Sequence, residues 1–350
     1  MQKERIIFIY PKLFTFIKTE VDLLSDNYEL IYKDQNWTNK FLLPFNLIIQ
    51  FFFLLFNIRK VNTILISFAG YWSFFPSLFA CIFRKDVAII VHGTDCVSFP
   101  DINYGSLRFY LMRYFIKKSY QWASIIFPVS ESLVYTENTY FSNQPLKFGY
   151  THHLKGINTP YKVIPNGLII KNWQKKNLNK IQKTFITVMT EGQLLRKGAD
   201  LIFNIAKRFP ECKFYFAGIN YASIKEERMP DNIFFLGRLT PKELELWYSK
   251  TQFYLQLSNF EGFGVAICEA MLCKCVPIVS RVNFLPNIVG DTGFILEKRD
   301  DSLLEKIIHQ ALEADLVKLM ENARQRIIDN FSAENRKKIL LQELKNIKTQ

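Results

Sequence analysis

The stretch Leu257–Ser280, LSNFEGFGVAICEAMLCKCVPIVS, decides the fold. It begins at the end of an apolar run, Phe253–Leu257, that predicts a buried strand. A loop follows, Glu261-Gly262-Phe263-Gly264 opens a helix reaching Lys274, and a second buried strand is predicted at Val276–Ser280. The two glycines let backbone approach a ligand closely, and the free N–H groups of a first helical turn suit a phosphate. Glu269 stands eight residues beyond Glu261, about two helical turns. One carboxylate therefore marks the mouth of the helix and the other its flank. Spacing alone leaves a second reading equally open, a core helix whose N-terminal dipole Glu261 satisfies.

The same alternation of short apolar runs and helical patterns extends in both directions. Strands are predicted at Arg5–Tyr10, Tyr28–Lys33, Thr63–Phe68, Val87–His92, Ser124–Val129 and Tyr161–Ile164, with helices at Phe74–Phe83 and Ser106–Lys118. Beyond Lys183 the pattern restarts with strands at Thr184–Met189, Lys213–Ala217 and Asn232–Leu236, and helices at Asp200–Phe209, Pro241–Ser249 and Ser302–Ala314. Such alternation predicts parallel sheets covered on both faces, with sites at the carboxyl ends of the strands. It occurs twice, on either side of the turn at Pro165-Asn166-Gly167 and the lysine-rich, acid-free stretch Lys171–Lys183, which reads as a solvated linker. The fold class expected is α/β, as two Rossmann-like domains at 1–167 and 168–330, with a C-terminal helix within 331–350 for which packing on either domain, the N-terminal one included, stays open.

Composition sets the outer limits. With 350 residues, 49% of them apolar and 22% charged, the chain is neither disordered nor collagen-like. The net charge of +13 is divided almost evenly, +6 over residues 1–165 and +7 over 166–350. That suits an anionic membrane surface, a phosphate-bearing substrate or nucleic acid. Six cysteines without a paired framework favour a reducing, cytoplasmic compartment. The N-terminal apolar run ends at Pro11, too early for a signal peptide. Phe41–Phe56 has 13 apolar residues in 16, short of the roughly 20 that span a bilayer. It predicts a helix packed on a sheet, with the option of one lipid-facing side and Arg59 and Lys60 near headgroups.

Glu261-x7-Glu269, continuing as EAM and ending in Val276-Pro277-Ile278-Val279, resembles the donor-site signature of family 4 retaining glycosyltransferases of the GT-B fold (glycosyl transferases group 1). Further pieces stand in the order of that family: His92-Gly93-Thr94-Asp95, Pro128-Val129-Ser130, Val163-Ile164-Pro165-Asn166-Gly167, Arg196-Lys197-Gly198-Ala199-Asp200 and Phe235-Leu236-Gly237-Arg238-Leu239. The resemblance implies two Rossmann-like domains with parallel sheets facing each other across a cleft, 1–167 binding the acceptor and 168–330 the nucleotide sugar. It implies no cofactor beyond a nucleoside-diphosphate sugar as donor, and no metal. Glu261 would contact the transferred sugar and Glu269 the ribose. The backbone of Gly262, Phe263 and Gly264 would hold the diphosphate, with Lys197 neutralising it, and Arg238 would lie near the base. His92 would reach the sugar across the cleft, and Asp95 would orient the acceptor hydroxyl. The acceptor would be lipid-linked or a surface polysaccharide, met at the inner membrane face by a cytoplasmic, peripherally attached enzyme.

Departures accompany the matches. Gln193 stands where the family has the arginine that grips the diphosphate, which leaves Arg196 as the substitute. Tyr10-Pro11-Lys12-Leu13-Phe14 replaces the N-terminal glycine-rich loop, and Lys274 a common glycine. An epimerase of the same fold and an inactive membrane-associated subunit are the alternatives. No GxGxxG follows a predicted strand, which argues against a nicotinamide dehydrogenase, and no clustered basic module points to nucleic acid. A glycosidase would set its carboxylates on either side of the sugar, not along one helix. Cys268, Cys273 and Cys275 lack zinc spacing and read as core thiols. His152-His153 reads as a solvated loop pair.

Overall fold

The computed structural model describes residues 3–224 and 229–347. The chain divides into two compact units, one made of 1–136, 147–165 and 334–350, the other of 137–146 and 166–333.

In the first unit, β1 (Glu4–Ile9), β2 (Tyr28–Ile31), β3 (Thr63–Ser67), β4 (Asp86–Val91) and β5 (Ile125–Pro128) form a parallel sheet in the order β2-β1-β3-β4-β5. Runs such as Ile64–Ile66 and Val87–Val91 are wholly buried, as expected of strands covered on both faces. The helices are α1 (Thr15–Ser25), α2 (Leu43–Asn57), α3 (Tyr71–Phe83) and α4 (Tyr110–Trp122). β2 lies on one side of β1, and the remaining strands advance along the other. Right-handed crossovers therefore put α1 on one face of the sheet and α2, α3 and α4 together on the opposite face. Ring contacts between Phe51 and Phe79 (5.3 Å) and between Phe74 and Phe115 (4.6 Å) join those three helices.

In the second unit, β6 (Ile181–Val188), β7 (Lys213–Ala217), β8 (Ile233–Gly237), β9 (Thr251–Gln256), β10 (Val276–Ser280) and β11 (Phe294–Leu296) form a parallel sheet in the order β8-β7-β6-β9-β10-β11. Its helices are α5 (Ala199–Arg208), α6 (Pro241–Lys250), α7 (Val265–Leu272), α8 (Leu285–Val289), α9 (Asp301–Glu313) and α10 (Leu316–Asn330). From β6 the chain first proceeds outward through β7 and β8, then returns to place β9 on the other side of β6. The order thus reverses between β6 and β9, which makes their carboxyl ends a topological switch point.

The last helix, α11 (Ala333–Asn346), begins where the amide of Ala333 donates to Leu168, and its Arg336 then belongs to the first unit. Arg336 donates to Glu20 of α1 at 2.5 Å and to the carbonyl of Ile164 at 2.7 Å.

Several expectations need correction. Tyr161–Ile164 is not a strand: only Tyr161 bridges, to Ile126. The helix expected from Ser106 starts with a separate turn, Ser106–Arg108, and becomes α4 at Tyr110. α1, α10 and β11 were not foreseen from the sequence. The lysine-rich stretch is not simply a solvated linker either. Its end is β6, and Lys180 turns inward to donate to the carbonyls of Tyr248 (2.7 Å), Thr251 (2.7 Å) and Cys273 (3.1 Å). His152 and His153 are half-buried in a short helix, Tyr150–His153, and His153 accepts from the amide of Ser98 at 3.2 Å. Cys268, Cys273 and Cys275 are buried free thiols.

Candidate functional site

At the switch point of the second unit, the loops leaving β6 and β9 meet. The loop after β6 is closed locally: Gln193 Oε1 accepts from the amide of Thr190 at 3.3 Å, and one helical turn, Leu194–Lys197, follows. Gly198 then takes φ +71°, and a Cβ there would lie 2.3 Å from the carbonyl oxygen of Leu257. Only glycine lets the turn bearing Arg196 and Lys197 press this closely on the end of β9. Asn259 secures the contact, since its amide N–H donates to the Arg196 carbonyl (2.8 Å) and its side chain to that of Leu195 (2.8 Å). Arg299, paired with Asp200, donates to Asn259 Oδ1 at 3.2 Å.

Glu261 is the centre of this arrangement. Its Oε2 accepts from Lys197 Nζ (2.8 Å), Gln256 Nε2 (2.8 Å), Ser258 Oγ (3.4 Å) and Arg196 Nη1 (3.4 Å). Oε1 makes no hydrogen bond among the described residues. Burial alone would raise the Glu261 carboxyl, but the charges of Lys197 and Arg196 prevail and lower it to about 2. Burial lowers Lys197 against the pull of Glu261. With the pair ionised, one carboxylate faces two cations, and a positive charge is left over at the helix mouth.

α7 starts at once. Gly264 adopts φ +114°, and a Cβ would sit 2.9 Å from Leu285 Cδ2, so the sharp entry into the helix requires glycine. Phe263 is buried against Phe284 (5.7 Å) and Phe331 (5.6 Å), which confines its side chain to packing. Along the flank, Glu269 is half-buried, and its side chain makes no hydrogen bond or ion pair among the described residues. Burial pushes its carboxyl up to about 8. Arg238 is exposed just past β8, after Gly237 at φ +64°.

In the first unit, His92 follows β4. Its Nε2 lies 2.9 Å from Ser67 Oγ, and its ring packs against Phe68 (4.3 Å) and Phe16 (5.2 Å). Burial, with the charge of Arg336, lowers the imidazole well below its ordinary value, so it is neutral at pH 7. Phe68 holds φ +59°, a conformation that costs a bulky residue about 1–3 kcal/mol. Asp95 lies three residues beyond His92. It is fully buried and accepts from the amides of Ala69 (3.0 Å), Gly93 (3.0 Å) and His92 (3.3 Å), so it frames the loop that carries His92.

The structure thus brings Arg196, Lys197 and Glu261 into direct contact, places Gly262, Phe263, Gly264 and Glu269 on the same loop and helix, and sets Arg238 after another strand of that sheet. Gln256, Ser258, Asn259 and Arg299 escaped the sequence reading. Ser258 and Asn259 lie within Leu257–Ser280 and Gln256 just before it, where polar residues at the end of a buried strand are the available signal. Arg299 had none. Among the described residues no group of three or more His, Cys, Asp or Glu is placed to hold a metal ion.

Residues 170–330 match the family described as glycosyl transferases group 1. Over 90 residues the chain is 33% identical to O-antigen chain mannosyltransferase B of Escherichia coli, covering 26% of this chain and 24% of that one. Over 274 residues it is 24% identical to N-acetyl-alpha-D-glucosaminyl L-malate synthase of Bacillus anthracis, covering 72% and 65%. The chain spans less than two thirds of the length of the curated relatives compared, from 24% to 65%. Anabaena HepE, solved with UDP and glucose, superposes with a TM-score of 0.71 at 14% identity, over 98% of this chain and 100% of that one. The fold is therefore that of the GT-B proteins, built from two Rossmann-like units.

Proposed function

From the group 1 glycosyl transferase domain at residues 170–330, we infer that the chain transfers a sugar, with retention, from a nucleoside-diphosphate sugar to a lipid-linked or surface-polysaccharide acceptor at the inner membrane face. The observation that carries this reading is Glu261 at the switch point, with Oε2 saturated by four donors and Oε1 left open. Gln256, Ser258, Lys197 and Arg196 fix the carboxylate, so Oε1 is aimed without loss of freedom when a sugar hydroxyl arrives.

The surplus positive charge beside the first turn of α7 supplies what the departing diphosphate needs. Free N–H groups at the helix start and two fixed cations meet charge as it develops, a preorganised electrostatic stabilisation without a metal. Glu269, unpartnered and half-buried, offers both oxygens to ribose hydroxyls, and Arg238 extends towards the base. Neutral His92, held by Ser67 in the other unit, can donate or accept a hydrogen bond without adding charge. The acceptor class is supported by the E. coli relative, an O-antigen chain mannosyltransferase, and the membrane face by the basic charge.

The test is thermal stability with UDP, GDP, ADP and NAD, for the wild type and Glu269→Ala. At a hundredfold excess over Kd a ligand adds ~2.7 kcal/mol. A shift with one nucleoside diphosphate, lost in the variant, supports the donor site and names the nucleotide. Silence from all three diphosphates favours an inactive subunit, and a shift with NAD alone refutes the reading.

A further inference from the structure

The helix α2 is amphipathic in the inverse sense. Its buried residues are Asn46, Gln50 and Leu54, one every turn, while Phe45 (64% exposed), Ile48, Phe52, Leu55 and Phe56 (68%) face outward. The polar stripe is engaged inside the protein: Asn46 Nδ2 donates to the Asn36 carbonyl at 2.9 Å, and Gln50 Nε2 to that of Trp72 at 2.9 Å. A helix meant for water presents the opposite face. The apolar surface also extends beyond α2. Rings in contact run from Phe52 to Phe51 (5.7 Å), Phe75 (6.0 Å), Phe74 (5.8 Å) and Tyr114 (6.5 Å), which carries the layer across α3 to α4. There Tyr110 (86% exposed) and Leu111 continue it.

The charge pattern selects the partner. α2, α3 and α4 contain no acidic residue, while exposed Arg59, Lys60, Arg84 and Arg113 stand on these helices or at their ends. Scattered apolar residues on a soluble surface are ordinary, but a contiguous aromatic layer on helices that carry basic and no acidic residues is not. Aromatic side chains at the level of the headgroups and cations among anionic phosphates are the two components of interfacial binding. The helical run Leu43–Lys60 has 18 residues and is long and apolar enough to cross a membrane by length and composition alone, but Asn46 and Gln50 of its inner stripe are hydrogen-bonded to the protein, which ties that face to the fold of its own unit. The helix therefore lies on a bilayer and does not cross it.

We propose that the outer face of α2, continued by the start of α4, docks on an anionic lipid bilayer, with Phe45, Phe52 and Phe56 buried among the acyl chains and Arg59 and Lys60 among the phosphates. This deepens the membrane-face part of the proposed function and is independent of the donor site, which lies in the other unit.

The test uses the full chain and extruded vesicles of phosphatidylcholine with or without phosphatidylglycerol. Flotation is expected with the anionic vesicles at low salt, and each of Phe45→Ser, Phe52→Ser and Phe56→Ser is expected to lower partitioning by about tenfold. These positions are exposed, so the variants retain their nucleotide-induced stability shift, which separates failure of the docking face from failure of the donor site. Phe52→Trp is expected to lose more fluorescence to brominated acyl chains than the wild type does. Floated Phe52→Trp protein with no such extra quenching, equal binding to neutral vesicles, or a lipid-free dimer in sedimentation that Phe52→Ser dissolves would each overturn the proposal, the last by assigning the face to a second copy.

Discussion

Glu269→Gln removes a carboxyl that the fold buries without a partner, and its effect must depend on pH. The ordinary value is 4.5 and burial carries it to about 8. The folded pKa is raised, so the stability in question is intact below pH 4.5, where both states are protonated, and is lost as pH rises towards 8, because the unfolded chain ionises first. Between those limits each pH unit costs the wild type about 1.4 kcal/mol relative to the glutamine variant, ~5 kcal/mol in all. For a domain of this size that is about 3 °C or more in Tm per pH unit. Scanning calorimetry of both proteins from pH 5 to pH 8 should show the variant gaining steadily on the wild type. The amide adds a constant offset, so the slope of the difference carries the result. A bound nucleotide whose ribose donates to the carboxylate favours the ionised form, and the gap should narrow at saturating ligand. Difference curves that stay flat across the range would refute the reasoning, because they would mean that water or an ion already solvates Glu269.

Four other outcomes are expected. Lys197→Met leaves Glu261 with a single neighbouring cation and should cost about 3–5 kcal/mol in urea unfolding at pH 7, while abolishing the nucleotide-induced shift. Gly264→Ala meets both the φ of +114° and Leu285 and should cost about 1–3 kcal/mol; Gly192→Ala, with nothing within 4 Å, serves as its control and should be neutral or slightly stabilising. His92, lowered well below its ordinary value by burial, should show no ring titration by NMR between pH 6 and pH 8, and a midpoint near 6.5 would contradict its packing. Since the unfolded chain takes up that proton first, His92 should also make the protein less stable as pH falls below about 6.5. Asp95→Asn, which replaces an acceptor of three backbone amides, should destabilise by about 1–3 kcal/mol in urea unfolding.

Both sheets were legible because parallel strands buried on two faces are continuous apolar runs, as in Val276–Ser280 and Val87–Val91. What escaped lacks that signature. α1 starts after Phe14 with no side-chain cap, and α10 buries only Ala323 and Ile327, too thin a stripe for periodicity to raise above its polar surroundings. β11 has three residues. Lys180 was misread with its neighbours as a solvated charge run, because three carbonyls from separate elements gather around its ammonium only in the fold. The candidate residues on the quoted run and the Arg196-Lys197 pair could be named from sequence, but not the convergence of four donors on one oxygen of Glu261. Nor could Ser67 and Phe68 be linked to His92, which lies 24 residues or more along the chain and meets them only through the pairing of β3 with β4.

Glu261 and Glu269 occupy one loop and helix, and both are half-buried, yet burial has opposite outcomes for them. At Glu261 two fixed cations reverse its effect and the carboxylate is held charged, at about 2; at Glu269 nothing opposes it and the carboxyl rises to about 8. A purely structural helix has reason for the first arrangement, since a charged residue at its mouth answers the dipole. It has none for the second, because an unpartnered carboxyl on a helix flank lowers stability, and a neutral or apolar side chain would serve packing better. A core-helix reading of Leu257–Ser280 therefore accounts for Glu261 and gives no reason for Glu269. The proposed function supplies that reason, since it gives Glu269 the ribose hydroxyls as donors that the chain itself does not provide.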